Sequence, residues 1–377
     1  MSAWPGKFVI GLTGNIATGK SVIRKMLEHL GAYGIDADAL AHRTIAKGSP
    51  GYQPVLRTFG TWLLGSDGQI DRRKLANIVF SDPEALKSLE LIIHPLVEQA
   101  VDLLIRRSIQ KVIVVEAIKL LESGMSEKCN SIWVTFAPRD LQLARLIQNR
   151  RMSEPAAWNR IEAQPEQEKR RSAADVIIRN DGSFENTWRQ VAAAWAQMFP
   201  EEEAEAVHLE KAETEEPTIQ RAKPREAEEI AKLINQLSGG QRSLTHEDIM
   251  AAFGEKAFLL LRFGEKLMGV VGWRVENLVA CTDDLYIDGT LSFVENMSGL
   301  MGEVERISHE LQCEVSLLFL RKELFDQEAA FMSLGYHQRE ILGLGVRAWE
   351  EAAQESMPAG SIMMFKQLRR DRVLRPV

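Results

Sequence analysis

Strand-like and helix-like patterns alternate through the first half of the chain. Short β-branched or aromatic runs predict buried strands, and apolar residues at helical spacing predict helices between them. The predicted strands are 8–10, 33–38, 111–116, 131–136 and 175–180, and the predicted helices are 22–30, 39–45, 73–80, 82–107, 138–151, 153–171 and one ending near 198. His94 and Pro95 predict a kink or break in the fourth helix. Strands that alternate with helices favour a parallel five-stranded α/β sheet.

The second half follows a different order. A strand near Ile219 precedes an amphipathic helix that ends near Ile234. Two apolar runs, 257–261 and 267–275, predict a hairpin. A strand at 284–287, a helix at 300–311 and a strand at 314–320 follow, so we expect an α+β domain. The basic tail 366–375 is expected to stay solvated or to dock on an acidic surface.

The two halves are separated by an acidic stretch. Residues 201–216 contain eight Glu and one Lys and show no apolar periodicity, which is typical of a solvated spacer. The predicted domains are therefore 1–200 and 218–377, joined by a linker at 201–217. That linker alone accounts for the net charge of −7 of the chain. The remainder is balanced, which argues against bulk electrostatic binding to nucleic acid.

Composition favours an ordinary globular protein of the cytoplasm. Hydrophobic residues make up 45% of the 377 residues and charged residues 26%. The apolar runs are strand-sized, so no membrane span is expected, and the first residues lack the pattern of a signal peptide. The three cysteines, Cys129, Cys281 and Cys313, lie far apart, which favours packing in a reducing compartment over metal binding.

A phosphate-binding motif lies between the first predicted strand and helix. Gly14, Gly19, Lys20 and Ser21 match the pattern G-x-x-x-x-G-K-[ST], whose backbone N–H groups hold phosphate oxygens. We expect Lys20 to reach the β- and γ-phosphates of ATP and the Ser21 hydroxyl to ligate Mg²⁺. The predicted nucleotide-binding loop consists of Gly14, Asn15, Ile16, Ala17, Thr18, Gly19, Lys20, Ser21 and Val22.

Two carboxylates follow the second predicted strand. Asp36 and Asp38 are open to a plain interpretation as a helix N-cap and a turn residue. However, ligands of open parallel sheets collect at the C-terminal ends of the strands. A carboxylate there faces the phosphates on the neighbouring loop, where a hydroxyl acceptor needs a base.

Arginines are concentrated between the fourth and fifth strands. A solvated helical face would explain any one of them, but together they resemble a mobile lid that closes on the phosphates. We assign Arg145 and Arg151 as catalytic candidates. The whole cluster is Arg145, Arg150, Arg151, Arg160 and Arg170.

The region from Lys7 to about Trp195 resembles the dephospho-CoA kinases. The P-loop is shared by many kinases, whereas the two Asp residues, the Asp-Arg pair, His-Pro and the ending at Gly182 are specific in this order. Beside the P-loop, the motifs that carry the resemblance are Asp36-Ala-Asp38, Gly68-Gln-Ile-Asp-Arg72, Val79-Phe80, His94-Pro95, Glu122, Gln164, Lys169-Arg170 and Ala174 to Gly182. The resemblance implies phosphorylation of the ribose 3′-hydroxyl of dephospho-CoA by Mg-ATP, with Asp38 as the base. It also implies nucleotide contacts at Asn180 and Gly182 and substrate contacts at Asp36, Asp38, His42, Arg72, His94 and Glu122.

The chain departs from this family at two places. Ile118, Lys119 and Leu120 stand where the family usually has Pro-Leu-Leu, which affects the wall of the acceptor site. Asn15 and Ala17 stand where the family often has glycine. Neither departure removes a phosphate-binding residue or the base.

The second domain resembles the GNAT acyltransferases over residues 218 to about 345, without a motif that matches fully. GNAT enzymes hold the diphosphate of acetyl-CoA on a basic, glycine-rich loop before a helix. In this chain that loop would span 288–299, and neither Lys nor Arg occurs from Val275 to Glu305. We therefore expect a non-catalytic domain used for packing, for homo-oligomerisation or for sensing a ligand.

Two other functions remain open from the residues. Another small-molecule P-loop kinase, acting on a nucleoside or nucleotide, would share the P-loop and the lid but need not have the two Asp residues or His94-Pro95 in these places. A nucleotide-switched binding protein would use the second domain as a partner module, but the intact Asp38 argues against it.

Overall fold

The computed structural model describes residues 3–164, 167–200 and 217–370. The core of the acidic linker, 201–216, and the end of the basic tail, 371–377, lie outside the described residues. No helix in these ranges is both long enough and apolar enough to cross a lipid bilayer.

A five-stranded parallel sheet forms the centre of the N-terminal domain and confirms the predicted α/β class. Its order is β2-β3-β1-β4-β5, which puts the P-loop strand in the middle, between the strands that lead to Asp38 and to the arginine cluster. The strands are β1 (Phe8–Gly14), β2 (Tyr33–Asp36), β3 (Val112–Glu116), β4 (Ser131–Phe136) and β5 (Val176–Arg179). Strand β3 is buried at every position, as expected for a parallel sheet covered on both faces.

Nine helices cover this sheet within the described residues. They are α1 (Lys20–His29), α2 (Ala37–Thr44), α3 (Tyr52–Phe59), α4 (Arg72–Ser81), α5 (Pro83–Arg107), α6 (Arg139–Arg150), α7 (Glu154–Glu162), α8 (Gln167–Ser172) and α9 (Phe184–Met198). Asp71 and Asp82 cap α4 and α5 by accepting N–H groups of the first turn.

Several details of this domain differ from the sequence predictions. The helix predicted at 153–171 is divided into α7 and α8, and neither includes Ala163 or Gln164. Helix α5 continues through Pro95, so of the predicted kink or break the break is excluded. Helix α2 begins at Ala37 and not at Ala39, because the Asp36 carboxylate caps it by accepting the N–H of Ala39 at 2.8 Å. Helix α3 was not predicted at all.

The C-terminal domain is built on a seven-stranded sheet with the order β11-β12-β10-β9-β8-β7-β6. All neighbouring strands are antiparallel except β9 and β10, which run parallel. The strands are β6 (Pro217–Arg221), β7 (Ala257–Phe263), β8 (Lys266–Glu276), β9 (Val279–Ile287), β10 (Val315–Leu320), β11 (His337–Gln338) and β12 (Ile362–Gln367). The α+β class is confirmed.

Five helices pack on this second sheet. They are α10 (Ala227–Leu237), α11 (His246–Ala252), α12 (Phe293–Glu310), α13 (Glu328–Ser333) and α14 (Arg347–Ser356). Lys366 was assigned to a solvated tail, but it belongs to β12, and its ammonium donates to the Glu305 carboxylate at 2.6 Å. Strand β9 also starts earlier than predicted, at Val279, directly after a turn at Asn277 and Leu278.

Candidate active site

The P-loop connects β1 to α1 and is held by side chains from β4 and from the loop after β5. Gly19 has a φ of 92°, and a Cβ at this position would collide with the side-chain amide of Asn180, so the turn requires glycine. The Asn180 amide donates to the Thr18 carbonyl at 3.0 Å. The Thr18 and Thr135 hydroxyl oxygens lie 2.5 Å apart. The loop is therefore fixed by its surroundings.

Lys20 lies at the first position of α1 and is buried. Its ammonium donates to the carbonyls of Gly14 at 3.1 Å and Asn15 at 3.3 Å. The side chain therefore folds back onto the P-loop, where it was expected to contact the phosphates. Burial lowers the pKa of Lys20, and the nearby carboxylates of Glu116 and Asp38 oppose this shift. The amine thus lies between the P-loop and two acidic groups.

Glu116 belongs to the site, although it was absent from the predicted set. It ends β3, is 4% exposed and stands opposite Asp36 in the register of β2 and β3. Its carboxylate accepts from the Ser21 hydroxyl at 2.9 Å and from Arg24 Nε at 2.7 Å. Glu116, like Asp36, is a carboxylate at the C-terminal end of a parallel strand, and this position in the sequence is the signal that marks it as a candidate.

Asp36 and Asp38 have different surroundings. Asp36 is the N-cap of α2, as its plain interpretation holds, whereas Asp38 lies in the first turn and accepts the N–H of Ile118 at 3.1 Å. Burial, together with the charge of Asp36, raises the pKa of Asp38 to about 6. A carboxyl with this pKa is mostly ionised at neutral pH and is still a useful proton acceptor.

A cavity of about 310 Å³ opens beside Asp38 between α2, α5 and the segment after β3. Its wall is largely apolar, with His94 on α5 and Lys119 after β3 among its polar members. Two ion pairs connect the sides of the cavity, Lys119 with Glu90 and Lys128 with Glu98. The predicted residues Asp38 and His94 therefore meet in one place that has the size of a small-molecule site.

The arginine cluster divides into separate roles. Arg145 donates to the carbonyls of Ala17 at 3.0 Å and Asn180 at 2.9 Å, so it fixes the P-loop from the lid side. Arg151 is exposed and ends α6 in a left-handed conformation. Arg170 is buried and donates to the carbonyl of Ile118 at 2.8 Å. Arg145 thus contacts the P-loop and Arg170 the segment that also binds Asp38, whereas Arg151 faces solvent.

The remaining predicted residues lie around the site or away from it. Glu122 pairs with Arg170 at 3.1 Å. Arg72 pairs with Glu351 of the C-terminal domain at 3.3 Å, and burial together with Arg72 lowers the pKa of the neighbouring His42. His42 and Arg72 thus lie toward the C-terminal domain, and neither lines the cavity beside Asp38.

Gln164 and Gly182 lie in the loops that follow α7 and β5. The Gln164 side-chain oxygen accepts the N–H of Ile16 at 2.6 Å, which extends the support of the P-loop to the loop after α7. Gly182 follows β5, and a Cβ there would lie 3.2 Å from the side-chain amide of Asn186. Gln164 entered the sequence comparison only as a motif residue, without an assigned contact.

Known proteins resemble the N-terminal domain. A family model described as dephospho-CoA kinase matches residues 8–186. The dephospho-CoA kinase of Geobacter sulfurreducens is 37% identical over 195 residues, which are 51% of this chain and 99% of the relative. The dephospho-CoA kinase of Carboxydothermus hydrogenoformans is 41% identical over 190 residues, which are 48% of this chain and 90% of the relative.

Solved structures give two further likenesses. The dephospho-CoA kinase from Campylobacter jejuni is 29% identical, with a TM-score of 0.38, over 50% of this chain and 96% of that chain. A putative acyl-CoA N-acyltransferase from Klebsiella pneumoniae is 19% identical, with a TM-score of 0.32, over 41% of this chain and 100% of that chain. Likenesses of this degree identify neither the fold nor the chemistry of the C-terminal domain.

Proposed function

The chain belongs to the dephospho-CoA kinase family, and from that membership we propose that Asp38, Lys20 and Glu116 carry its phosphoryl transfer. In that reaction the ribose 3′-hydroxyl of dephospho-CoA receives the γ-phosphoryl group of ATP, and coenzyme A and ADP are formed. The observation that carries these assignments is the position of Asp38. It lies on the acceptor cavity and is also close enough to Lys20 to oppose the lowering of its pKa.

The proposed step balances in bonds and protons. The 3′-oxygen forms a bond to the γ-phosphorus while the bond from that phosphorus to the β,γ-bridging oxygen breaks. Asp38 accepts the hydroxyl proton, as its raised pKa of about 6 allows. Lys20 leaves the carbonyls of Gly14 and Asn15 for the β- and γ-phosphates and stabilises the charge that spreads there.

The oxygen atoms beside the P-loop suit Mg²⁺. The Ser21 hydroxyl and the Glu116 carboxylate are hard ligands, and Mg²⁺ commonly combines one or two such groups with phosphate oxygens and water. Among the described residues no group of three His, Cys, Asp or Glu side chains is arranged to hold a metal by itself. We propose that Ser21 and Glu116 hold the ion with the nucleotide, where it neutralises phosphate charge.

The acceptor side combines an apolar wall with lysines. Dephospho-CoA carries an adenosine, a diphosphate and a long pantetheine arm, and the cavity offers apolar surface together with Lys119 and Lys128. Each lysine pairs with a glutamate of α5. We propose that a diphosphate draws the lysines from Glu90 and Glu98, since the ligand carries more charge than a carboxylate.

ADP release distinguishes the candidate functions. Full-length protein with Mg-ATP should release ADP when dephospho-CoA is added. It should release no ADP without an acceptor or with a panel of nucleosides and nucleotides. Release with a nucleoside or nucleotide instead would identify another small-molecule kinase. Nucleotide binding without acceptor-dependent release would favour a nucleotide-switched binding protein.

The base is tested by Asp38→Asn in the same assay. We expect turnover to fall by ~10²–10⁴-fold, the usual contribution of a general base, while ATP binding survives on the P-loop. Asp102→Asn, a half-exposed carboxylate on α5 away from the cavity, serves as the matched control with unchanged turnover. Loss of ATP binding in Asp38→Asn would assign Asp38 to metal binding or structure and make Asp36 the next candidate base.

We propose that the domains divide at the acidic linker and that the C-terminal domain is not an acetyltransferase. The segment before α12 holds Asp288, whose carboxylate accepts from the N–H and the hydroxyl of Thr290, and the first turn of α12 contains Glu295. Carboxylates at a helix start repel a diphosphate. Full-length protein given acetyl-CoA and a panel of amines should transfer no acetyl group, and transfer to any amine would overturn this proposal.

We further propose that the chain works in the cytoplasm and that its C-terminal domain is a surface for homo-oligomerisation. Cys129, Cys281 and Cys313 are free thiols, as a reducing compartment favours. Burial raises the pKa of Cys129 and Cys281 to about 12, which disfavours reactive thiolates.

Light scattering on the full chain measures the oligomeric state. A monomer at all concentrations would contradict the proposal that the C-terminal domain is a surface for homo-oligomerisation.

A further inference from the structure

The turn between β8 and β9 has an unusual conformation. Asn277 and Leu278 both have positive φ, 50° and 62°, in a region that glycine and asparagine favour. A leucine is strained in this region of φ and ψ. Yet Leu278 is 8% exposed and belongs to a core cluster of the N-terminal domain that includes Tyr33 and Leu40. The conformation puts this side chain into the other domain.

The same hairpin binds two helices of the N-terminal domain through its backbone. The Val275 carbonyl accepts from Lys25 Nζ of α1 at 3.1 Å. The Asn277 carbonyl accepts from Arg43 Nη1 of α2 at 2.5 Å. One rigid two-stranded element therefore holds both α1 and α2.

A buried ion pair strengthens the contact with α2. Arg43 Nη2 donates to both carboxylate oxygens of Glu314, at 2.9 and 2.8 Å. Glu314 is 1% exposed and also accepts from Trp349 Nε1 at 3.0 Å, so its carboxylate is fixed by its own domain. Separating the partners of such a pair leaves an uncompensated buried charge, which is strongly destabilising. Movement of α2 away from Glu314 is therefore disfavoured.

These two helices carry the two sides of the reaction. Helix α1 starts with Lys20 at the donor phosphates, and the first turn of α2 holds the base Asp38. About 7.5 Å of helix rise separates Lys20 from Lys25 on α1, and the same rise separates Asp38 from Arg43 on α2. We infer that the β8–β9 hairpin fixes the distance between the donor phosphates and the base, with Arg43 as a positioning residue, an inference that rests on the proposed function.

Leu278→Gly tests the hairpin without distorting it. Glycine suits the positive φ of the turn, so the variant keeps the hairpin and loses only the side chain in the N-terminal domain. We expect kcat with dephospho-CoA to fall by ~10–100-fold, the scale of a displaced catalytic group. The ATP dissociation constant should change less than about twofold, because the contacts that hold the P-loop come from the N-terminal domain itself.

The pH profile separates positioning from stability. If α2 shifts, Asp38 loses the N–H of Ile118, which favours its charged form, and the acid limb of kcat moves to higher pH. Tyr336→Phe is the matched control, since it removes a buried hydrogen bond to Ser316 inside the C-terminal domain. This control should lower the melting temperature without moving the acid limb.

A double variant and hydrogen exchange complete the test. Arg43→Met with Glu314→Gln removes both buried charges together, which avoids an unpaired one, and should reproduce the kinetic change. Amide exchange of α2 should accelerate in both variants while β1 is unaffected, a measurement that does not depend on the reaction. If folded Leu278→Gly has the same kcat, the same acid limb and the same α2 amide exchange as the wild type, the inference is wrong. A wild-type chain without dephospho-CoA kinase turnover would instead refute the proposed function.

Discussion

The Ser21 hydroxyl donates to the Glu116 carboxylate across 2.9 Å, which joins the end of the P-loop to the end of β3. Arg24 Nε holds the other carboxylate oxygen at 2.7 Å, so the orientation of Glu116 is fixed. A serine at the end of a P-loop is a ligand of Mg²⁺ in nucleotide-binding proteins. These two oxygen ligands are the ones that we propose would hold Mg²⁺ with the nucleotide.

We predict that Glu116→Gln lowers turnover by ~100-fold, the scale of one preorganised charged group, and raises the half-saturating Mg²⁺ concentration. Glutamine keeps the size of the side chain but loses the charge that attracts the ion. Steady-state kinetics over a range of Mg²⁺ concentrations measures both effects. Glu28→Gln, which alters the same Arg24 network without touching Ser21, should leave the Mg²⁺ requirement unchanged. An unchanged requirement in Glu116→Gln would exclude Glu116 as a ligand.

Lys20→Ala should remove the cation that the transition state needs at the β- and γ-phosphates. We expect a loss of at least ~100-fold in turnover. The burial of Lys20 and its contacts with Gly14 and Asn15 mean that stability must be followed in parallel. Lys232→Ala, an exposed lysine of α10, is the control. Near-normal turnover of folded Lys20→Ala would mean that this loop is not the donor site.

The pH dependence should follow Asp38. The base works only when ionised, so kcat/KM for dephospho-CoA should rise with pH and level off above a midpoint near the Asp38 pKa of about 6. The charge of Asp36 contributes to that raised pKa, so Asp36→Asn should lower it and move the midpoint to lower pH. Asparagine still caps α2 through its side-chain oxygen. A midpoint that stays in place would show that another group titrates.

Much of the N-terminal domain could be predicted because its signals are local, although the helix predicted at 153–171 is divided into α7 and α8. The P-loop pattern, the strand spacing and the two Asp residues each lie in one short stretch, and the alternation of strands and helices predicts the parallel sheet, though not the order of its strands. The sequence predicts the helix at 82–107 nearly to its observed bounds, but whether Pro95 breaks it could not be decided, because packing determines that outcome. The cap of Asp36 shifted the start of α2 for the same kind of reason, since it depends on one hydrogen bond.

The contacts between the domains could not be predicted. Lys25 and Arg43 look like ordinary solvated residues of amphipathic helices, yet each donates to a backbone carbonyl more than 200 positions away. A leucine at positive φ has no sequence signature either, because local preferences argue against it. Positions that violate a local rule are where a function of the whole fold is to be sought.

Lys119 is where this chain departs from the Pro-Leu-Leu of the family, and it lines the cavity beside Asp38. Its side chain is 49% exposed and pairs with Glu90 of α5. An exposed ion pair of this kind contributes little to stability, typically about 0–1 kcal/mol. Breaking this ion pair therefore costs little free energy, so Lys119 can exchange Glu90 for an anionic ligand.

Lys119→Leu restores the leucine of the family and should raise KM for dephospho-CoA by ~3–10-fold, the scale of one charge-assisted contact near solvent. We expect kcat to stay within about twofold, because Lys119 acts on the bound diphosphate and not on the transferred phosphoryl group. The KM of the wild type should also rise with ionic strength more steeply than that of the variant, since salt screens the exposed charge. Lys87→Leu, an exposed lysine of α5 outside the cavity, is the matched control. A KM that is unchanged in Lys119→Leu at low salt would show that Lys119 does not contact the substrate, and would leave the apolar wall to hold dephospho-CoA.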